Sequence, residues 1–276
     1  MTIRIKSVLV ALFSFSLILA PLAQAASPAP VKAEHGMVVT AQRLASEAGV
    51  EVLKNGGNAV DAAVAVGYVL AVVYPTAGNI GGGGFMTIRL KDGRTTFLDF
   101  RERAPLAATK TMYLDKSGNV IKGLSLDTVL AVGVPGSVMG LETAREKYGT
   151  KSRQELMATA IRYAKEGFEL EQGDVASLDN GATRLAKDKA AAAIFLKPDG
   201  THYQVGDVLK QPDLAKSLEA IAKDGPEAFY RGWIGDDIVK TSTEQHGLLA
   251  KEDFAQYKVR ELEPVKCNYR GYEIIS

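Results

Sequence analysis

The sequence has little cysteine and little histidine: one Cys and three His in 276 residues. A single cysteine, Cys267, excludes an intramolecular disulfide framework, and we expect it to be a buried, unreactive side chain. His35, His202 and His246 stand far apart, and none has metal-ligand spacing from another His, Cys or carboxylate. The sequence therefore predicts three surface histidines and no metal site.

An excess of charge of one sign is also missing, because 33 Lys and Arg face 32 Asp and Glu. This balance, without a basic face or tail, argues against nucleic acid and membrane surfaces as partners. The string "GVPGSVMG" does not match a G-x-S-x-G nucleophile elbow, and we expect its Ser137 to open or cap a helix. Adjacent Asp236 and Asp237 would point apart on a helix. The chain thus contains no complete catalytic apparatus.

A long hydrophobic run occurs at the N-terminus. Arg4 and Lys6 precede the apolar string "VLVALFSFSLILA", and "AQA" ends at Ala25. This pattern is typical of a signal peptide over residues 1–25, and the run is shorter than the roughly 20 residues of a membrane span. An uncleaved N-terminal anchor is the alternative interpretation. We expect a mature chain from residue 26 that is periplasmic or secreted, soluble and free of the membrane.

Two helices are predicted near the start of the mature chain. "TAQRLASEAGVEVLKNGGN" is amphipathic, with Thr40 as its N-cap. The next helix has Asn58 as its cap and Asp61 in its first turn. Its string "AVDAAVAVGYVLAVV" is apolar on every face, which predicts a buried helix that Pro75 ends.

Further along the chain, the sequence predicts the ends of two more helices and a final strand. Ser152 and Glu155 form a capping-box pattern, and Gly167 stops the helix that follows. Another helix has Pro212 near its start and Gly225 as its stop. The final string "YRGYEIIS" is predicted to form a strand.

Four consecutive glycines, Gly81 to Gly84, lead into a predicted hairpin. "FMTIRL" (85–90) and "TTFLDF" (95–100) read as strands, and "KDGR" between them is a hairpin signal. With a two-residue turn, the register places Arg101 opposite Gly84.

The glycine run follows a helix and opens into a strand, which is the wrong order for a dinucleotide or phosphate loop. Two interpretations stay open. The glycines could permit close backbone packing, or they could leave the backbone bare for a ligand. A guanidinium at Arg101 beside such backbone would suit bidentate binding of a carboxylate.

Several strings, in this order, carry a family resemblance: "NGGNAVDAAVAVGYVLAVVYPTAGNIGGGGFM", "DFRERAP", "VGVPGSVMGLETAREKYGT", "GPEAFYRGWIGDDIV", "LLAKEDFAQYKVRELEPV" and "YRGYEI". From about Gly36 to Ser276 the chain resembles the N-terminal part of the large subunit of gamma-glutamyltranspeptidase, or glutathione hydrolase, of the bacterial periplasmic type. The resemblance implies an α/β fold, the αββα sandwich of N-terminal-nucleophile hydrolases. It also implies that residues 26–276 are a truncated large-subunit portion of one such domain.

The resemblance further implies a precursor that cleaves itself into a large and a small subunit. The nucleophilic Thr would begin the small subunit, beyond Ser276, so we expect no catalytic residue in this chain. We also expect the chain alone to be inactive and to fold poorly. The substrates would be glutathione and other γ-glutamyl compounds, with water, amino acids or peptides as acceptors, and no cofactor or metal.

Within this chain the resemblance assigns one substrate contact, Arg101, to the α-carboxylate of the γ-glutamyl group. Arg103 stands where relatives are expected to have a smaller or uncharged residue. Its role, like that of Gly81 to Gly84, stays open.

Two kinds of alternative remain. A related acylase or poly-γ-glutamate depolymerase would share the fold, although Arg101 argues against an acylase whose substrate lacks an α-carboxylate. A non-catalytic periplasmic binding protein would suit a chain without catalytic groups, but it should show two similar lobes.

Overall fold

The computed structural model describes residues 30–276, so the predicted signal peptide lies outside the described residues. Within Gly36–Ser276, ten α-helices and seven strands follow one another along the chain. The helices are α1 (Arg43–Lys54), α2 (Ala59–Val73), α3 (Ser137–Tyr148), α4 (Arg153–Glu166), α5 (Gln172–Leu185), α6 (Lys189–Phe195), α7 (Pro212–Asp224), α8 (Pro226–Tyr230), α9 (Trp233–Glu244) and α10 (Lys251–Gln256). The strands are β1 (Phe85–Arg89), β2 (Thr95–Asp99), β3 (Phe168–Glu169), β4 (Val208–Leu209), β5 (Arg260–Leu262), β6 (Lys266–Tyr269) and β7 (Tyr272–Ile275). No helix of residues 30–276 is both long and apolar enough to cross a membrane.

Helix α2 lies at the centre of the helical core, as its uniformly apolar sequence predicts. Val64, Tyr68, Val69 and Val72 are buried, and α1, α3 and α4 pack around the helix. Burial of each large apolar side chain contributes about 1.5–3 kcal/mol. The hydrophobic effect therefore holds α2 in place more than helix propensity does, since β-branched Val is a modest helix former.

The N-terminus of α2 is fixed by Asp61, which is fully buried. Its carboxylate accepts hydrogen bonds from Asn58 N (2.8 Å), Thr150 N (2.8 Å), Thr150 Oγ1 (2.7 Å) and Lys151 N (3.1 Å). Burial pushes the pKa of Asp61 upward, but these hydrogen bonds prevail and hold the pKa below its ordinary value. The predicted cap is thus confirmed, and it also ties α2 to the loop between α3 and α4.

The cap of α1 differs from the prediction. Gln42, not Thr40, is the N-cap residue, because its Oε1 accepts a 2.6 Å hydrogen bond from Leu44 N. The Thr40 hydroxyl instead donates to the Gln42 carbonyl at 2.6 Å. The helix consequently begins at Arg43. Thr40 stabilises the residue that caps it.

The predicted ends of two later helices are confirmed, whereas "YRGYEIIS" is not one strand, because Arg270 and Gly271 form a turn between β6 and β7. Ser152 and Glu155 form the capping box of α4, which ends at Gly167 with φ of 96°. Helix α7 begins at Pro212 and ends at Gly225 with φ of 70°. Both glycines have the left-handed φ that favours Gly over other residues.

The predicted hairpin forms, but its register is shifted by one residue. Leu90 N donates to Arg94 O at 2.8 Å and Gly93 N donates to Leu90 O at 3.0 Å, which closes a three-residue turn. Gly93 has φ of 89°, as three-residue hairpin turns require. Gly84 therefore pairs with Phe100 rather than with Arg101, and the prediction of a two-residue turn was wrong.

Strand β2 lies between β1 and β5 in a three-stranded antiparallel sheet, and β3–β4 and β6–β7 form two-stranded pairs. Strand β6 contains Cys267, which is exposed, contrary to the prediction of burial. The reason is that every side chain of β6 is exposed in this hairpin.

Candidate functional site

The glycine run packs closely against the end of β2 and the start of α3. A Cβ atom on Gly83 would lie 2.5 Å from Phe100 O, and one on Gly84 would lie 2.9 Å from Phe100 Cε2. The Gly82 carbonyl accepts hydrogen bonds from the backbone N–H groups of Gly136 (2.6 Å) and Ser137 (2.9 Å). The geometry favours the close-packing interpretation for these three glycines. Around Gly81, by contrast, an added Cβ would meet no atom within 4 Å.

Arg101 lies two residues beyond β2, next to Gly83. Its backbone N–H donates to Asp99 Oδ1 at 3.0 Å, and its carbonyl accepts a 2.9 Å hydrogen bond from the Tyr257 hydroxyl. The side chain is exposed, and its guanidinium carbon lies 5.9 Å from the centroid of the Phe85 ring. Within residues 30–276 the guanidinium forms no ion pair. The backbone of Arg101 is anchored while its charge is available to a ligand.

Asp99 anchors Arg101 from within the sheet. The Asp99 side chain is buried, and its second oxygen is paired with Arg260 of the neighbouring strand β5. Burial pushes the pKa of Asp99 upward, but the hydrogen bond from Arg101 N–H and the contact with Arg260 prevail and lower the pKa. Asp99 is therefore an ionised acceptor at neutral pH.

Tyr257 anchors Arg101 from the helical side. Its ring is buried and stacks on Tyr230, with centroids 5.7 Å apart, and Tyr230 in turn donates to Pro135 O at 2.9 Å. A Cβ on Gly136 would lie 2.0 Å from the Tyr257 hydroxyl oxygen. Gly136, the second glycine of "GVPGSVMG", thus gives the hydroxyl room to reach the Arg101 carbonyl.

Arg103 contacts the same tyrosine. Its guanidinium carbon lies 5.5 Å from the centroid of the Tyr257 ring, and its Nη2 donates to Lys258 O at 2.9 Å. Residue 103 also forms a backbone bridge with Val134. The Arg103 guanidinium therefore has a hydrogen-bond partner within residues 30–276, whereas the Arg101 guanidinium contacts only the Phe85 ring there.

The other residues weighed in the sequence lie outside this site. The three histidines are exposed, and His202 Nδ1 is 2.7 Å from Asp179 Oδ1. Asp236 pairs with Lys251 at 2.6 Å. In the part of the chain that the structure describes, no cluster of three or more His, Cys, Asp or Glu residues could hold a metal ion.

A cavity of about 540 Å³ lies between α1, the end of α2 and α5. Apolar side chains such as Phe168 and Leu178 line much of it, whereas Arg101 and the glycine run do not contribute to it. We place the candidate site at Arg101 because a charged group on a fixed backbone, with no acidic partner among residues 30–276, is the stronger indication of ligand binding.

Sequence reasoning proposed Arg101 as a site residue, but it did not point to Asp99 and Tyr257, which anchor its backbone, or to Arg260, which pairs with Asp99. Asp99 could have been suspected, because a carboxylate two residues before an arginine can accept its N–H. Tyr257 gave no such signal, since 156 residues separate it from Arg101.

The fold is that of the N-terminal-nucleophile hydrolases, as its similarity to solved structures shows. The chain aligns with the crystal structure of Helicobacter pylori gamma-glutamyltranspeptidase with a TM-score of 0.87 and 47% identity, covering 90% of this chain and 71% of that one. It also aligns with a cephalosporin acylase from Bacillus halodurans, with a TM-score of 0.78 and 31% identity, covering 92% of this chain and 49% of that one.

The family follows from the sequence matches. Residues 45–276 match the family model for gamma-glutamyltranspeptidase, and the chain belongs to this family. It is 60% identical over 252 residues to a glutathione hydrolase proenzyme from Pseudomonas sp. (strain A14), covering 91% of this chain and 44% of that protein. The chain thus spans less than half the length of the curated relatives it matches.

Proposed function

We propose that this chain is the N-terminal part, residues 26–276, of the large subunit of an exported enzyme that transfers γ-glutamyl groups. The substrates are glutathione and other γ-glutamyl compounds, and the acceptor is water, an amino acid or a peptide. The observation that carries the proposal is Arg101, whose guanidinium is exposed and unpaired within residues 30–276 in a chain of this family.

In this proposal Arg101 binds the α-carboxylate of the γ-glutamyl group. The planar guanidinium can donate two parallel N–H bonds to a carboxylate, which a lysine cannot do. Such a charge-assisted contact contributes about 1.5–3 kcal/mol. The α-carboxylate is remote from the scissile amide, so this contact selects and orients the substrate and does not take part in bond cleavage.

The bond is broken by a residue that follows Ser276. The hydroxyl of an N-terminal Thr, freed by self-cleavage of the precursor, attacks the γ-carbonyl carbon, and its own α-amine takes the proton. The amide nitrogen leaves with a proton, and the resulting γ-glutamyl ester passes to water or to an amine. The small subunit that begins with this Thr is the partner of the present chain.

A cephalosporin-type acylase is the alternative that fold similarity leaves in place, because one such acylase aligns with this chain. Arg101 favours γ-glutamyl substrates, since a glutaryl or adipyl amide has no α-carboxylate for it to bind. A poly-γ-glutamate depolymerase would act on the same type of bond, and assays with free glutathione distinguish it.

The test uses the full-length protein from a periplasmic extract. Intact-mass and N-terminal analysis should give two polypeptides, one beginning after Ala25 and one beginning with Thr. The purified protein should hydrolyse a γ-glutamyl anilide and glutathione much faster than glutaryl or adipyl anilides. A single uncut chain with no γ-glutamyl hydrolysis would overturn the proposal, and a preference for glutaryl amides would indicate an acylase.

A further inference from the structure

The hydroxyl of Tyr257 and the carbonyl of Arg101 form a tertiary hydrogen bond of 2.9 Å between distant parts of the chain. Tyr257 directly follows α10, and it is 4% exposed. Aromatic neighbours hold its ring: Tyr230 stacks on it, and Phe229 and Phe254 pack with Tyr230. The position of the hydroxyl is therefore set by α8 and α10 and not by the hairpin that carries Arg101.

The bond from Tyr257 fixes the peptide group that follows Arg101, and a second bond fixes the peptide group that precedes it. Asp99 Oδ1 accepts from the N–H on one side, at 3.0 Å, and the Tyr257 hydroxyl donates to the carbonyl on the other, at 2.9 Å. A ligand that binds to a preorganised group loses less conformational entropy than one that must first order it. An exposed arginine beyond the end of a strand has few other means of being held in one place.

We propose that Tyr257 is a positioning residue for substrate binding: its hydroxyl fixes the Arg101 carbonyl and so helps to hold the guanidinium, which lies over the Phe85 ring, in place for the substrate α-carboxylate. This inference rests on the proposed function, because it assigns Tyr257 an effect that passes through Arg101. It predicts that Tyr257 matters for substrates with an α-carboxylate and not for the chemistry of the amide bond.

Two features keep the hydroxyl able to donate. Burial raises the pKa of Tyr257 to about 12, although Arg103 near its ring acts in the opposite direction, so the hydroxyl keeps its proton at neutral pH. Gly136 has no side chain to block the hydroxyl, since a Cβ there would lie 2.0 Å from the oxygen.

The first test is Tyr257→Phe in the full-length protein, with a γ-glutamyl anilide as the probe. The change removes one hydroxyl and keeps the ring packing. We expect KM to rise about fivefold, the size of one lost hydrogen bond, while kcat stays unchanged. Tyr203→Phe is the matched control, because it removes a hydroxyl bond to a backbone carbonyl, Ile194 O at 3.3 Å, in another part of the chain. It should change neither constant.

The decisive test repeats Tyr257→Phe in an Arg101→Ala background. If Tyr257 acts through Arg101, the second substitution adds no further rise in KM, a non-additivity that a double-mutant cycle measures. An equal rise in both backgrounds would overturn the inference and leave the role of Arg101 intact. An Arg101→Ala enzyme with unchanged KM would overturn both.

A second variant keeps the inference testable if Tyr257→Phe prevents self-processing. Arg103→Met removes the guanidinium near the Tyr257 ring and leaves the hydroxyl in place. We expect a smaller rise in KM, about twofold, that again disappears in the Arg101→Ala background. A rise that persists there would contradict the inference.

Discussion

Arginines occupy two contrasting environments in this protein. Arg145 and Arg153 converge on the buried carboxylate of Glu142, which is 3% exposed and accepts 3.0 Å and 2.8 Å bonds from their Nε atoms. Arg101 has no acidic partner within residues 30–276, and its backbone rather than its charge is held. Where a charge serves the fold, it is buried and paired. At Arg101, for which we propose a role in ligand binding, the backbone is fixed and the charge has no acidic partner within residues 30–276.

The largest expected effect comes from removing the buried Glu142 carboxylate that pairs with Arg145 and Arg153. Glu142→Gln leaves two guanidinium groups with a neutral partner in a poorly solvated place, and we expect the free energy of unfolding to fall by about 3–5 kcal/mol. Urea unfolding of the full-length protein measures it. Glu146→Gln is the control, because Glu146 is 59% exposed and 3.5 Å from Arg145. If Glu142→Gln were as stable as Glu146→Gln, the buried arginine pairs would not stabilise the fold, and the contrast with Arg101 would fail.

Titration of the same carboxylate should give a loss of at most the same size, because protonation neutralises the carboxylate as the Gln substitution does. Burial pushes the pKa of Glu142 upward, but hydrogen bonds from Arg153 and Arg145 prevail and lower it to about 2. The folded-state pKa lies below the unfolded value, so the stabilisation is complete above about pH 4.5 and is lost as the pH falls toward about 2. Melting temperatures measured over this range should fall less steeply for Glu142→Gln than for the unmodified protein.

Arg101→Ala tests the other side of the contrast. We expect KM for γ-glutamyl substrates to rise about 10- to 150-fold, from the loss of about 1.5–3 kcal/mol of binding. The melting temperature should change little, because within residues 30–276 the exposed guanidinium has no ion-pair partner and contacts only the Phe85 ring. Arg94→Ala, in the exposed turn of the same hairpin, should alter neither. An unchanged KM in Arg101→Ala would remove the assignment of this residue to the α-carboxylate.

The smallest expected effect is that of Arg43→Ala, which tests whether an ion pair stabilises the protein when it is exposed rather than buried. Arg43 is paired with Glu47 at 2.6 Å and Glu171 at 2.7 Å, yet 57% of its side chain is exposed. Solvent screens exposed pairs and weakens them, so Arg43→Ala should shift the melting temperature only slightly. A loss as large as that of Glu142→Gln would show that pairing alone sets the stability.

The sequence predicted features that depend on neighbours in the chain. The caps at Asn58 and Ser152 and the glycine stops at Gly167 and Gly225 were correct because their donors and acceptors lie within a few residues. The hairpin was found, but its register failed by one residue, since "KDGR" is compatible with two turn lengths.

Tertiary contacts are the part that sequence reasoning could not supply. Arg101 was identified through a local register and a family resemblance, and the one-residue error still left it beside the glycine run. The Tyr257 hydroxyl, the pairing of Asp99 with Arg260 and the convergence of two arginines on Glu142 join segments that are distant in sequence or show no local pattern. Only packing brings these groups together.

The Asp61 carboxylate described above also affects the order in which contacts form. Its bond from Asn58 N is local, whereas its bonds from Thr150 close a loop of 89 residues. Closing a loop of this length lowers the conformational entropy of the chain before the contact between its ends can stabilise it. We therefore expect the cap of α2 to form early in folding and its connection to residue 150 to form late. Interactions absent from the folding transition state mainly slow unfolding, so the long-range half of this cap contributes to the lifetime of the native protein.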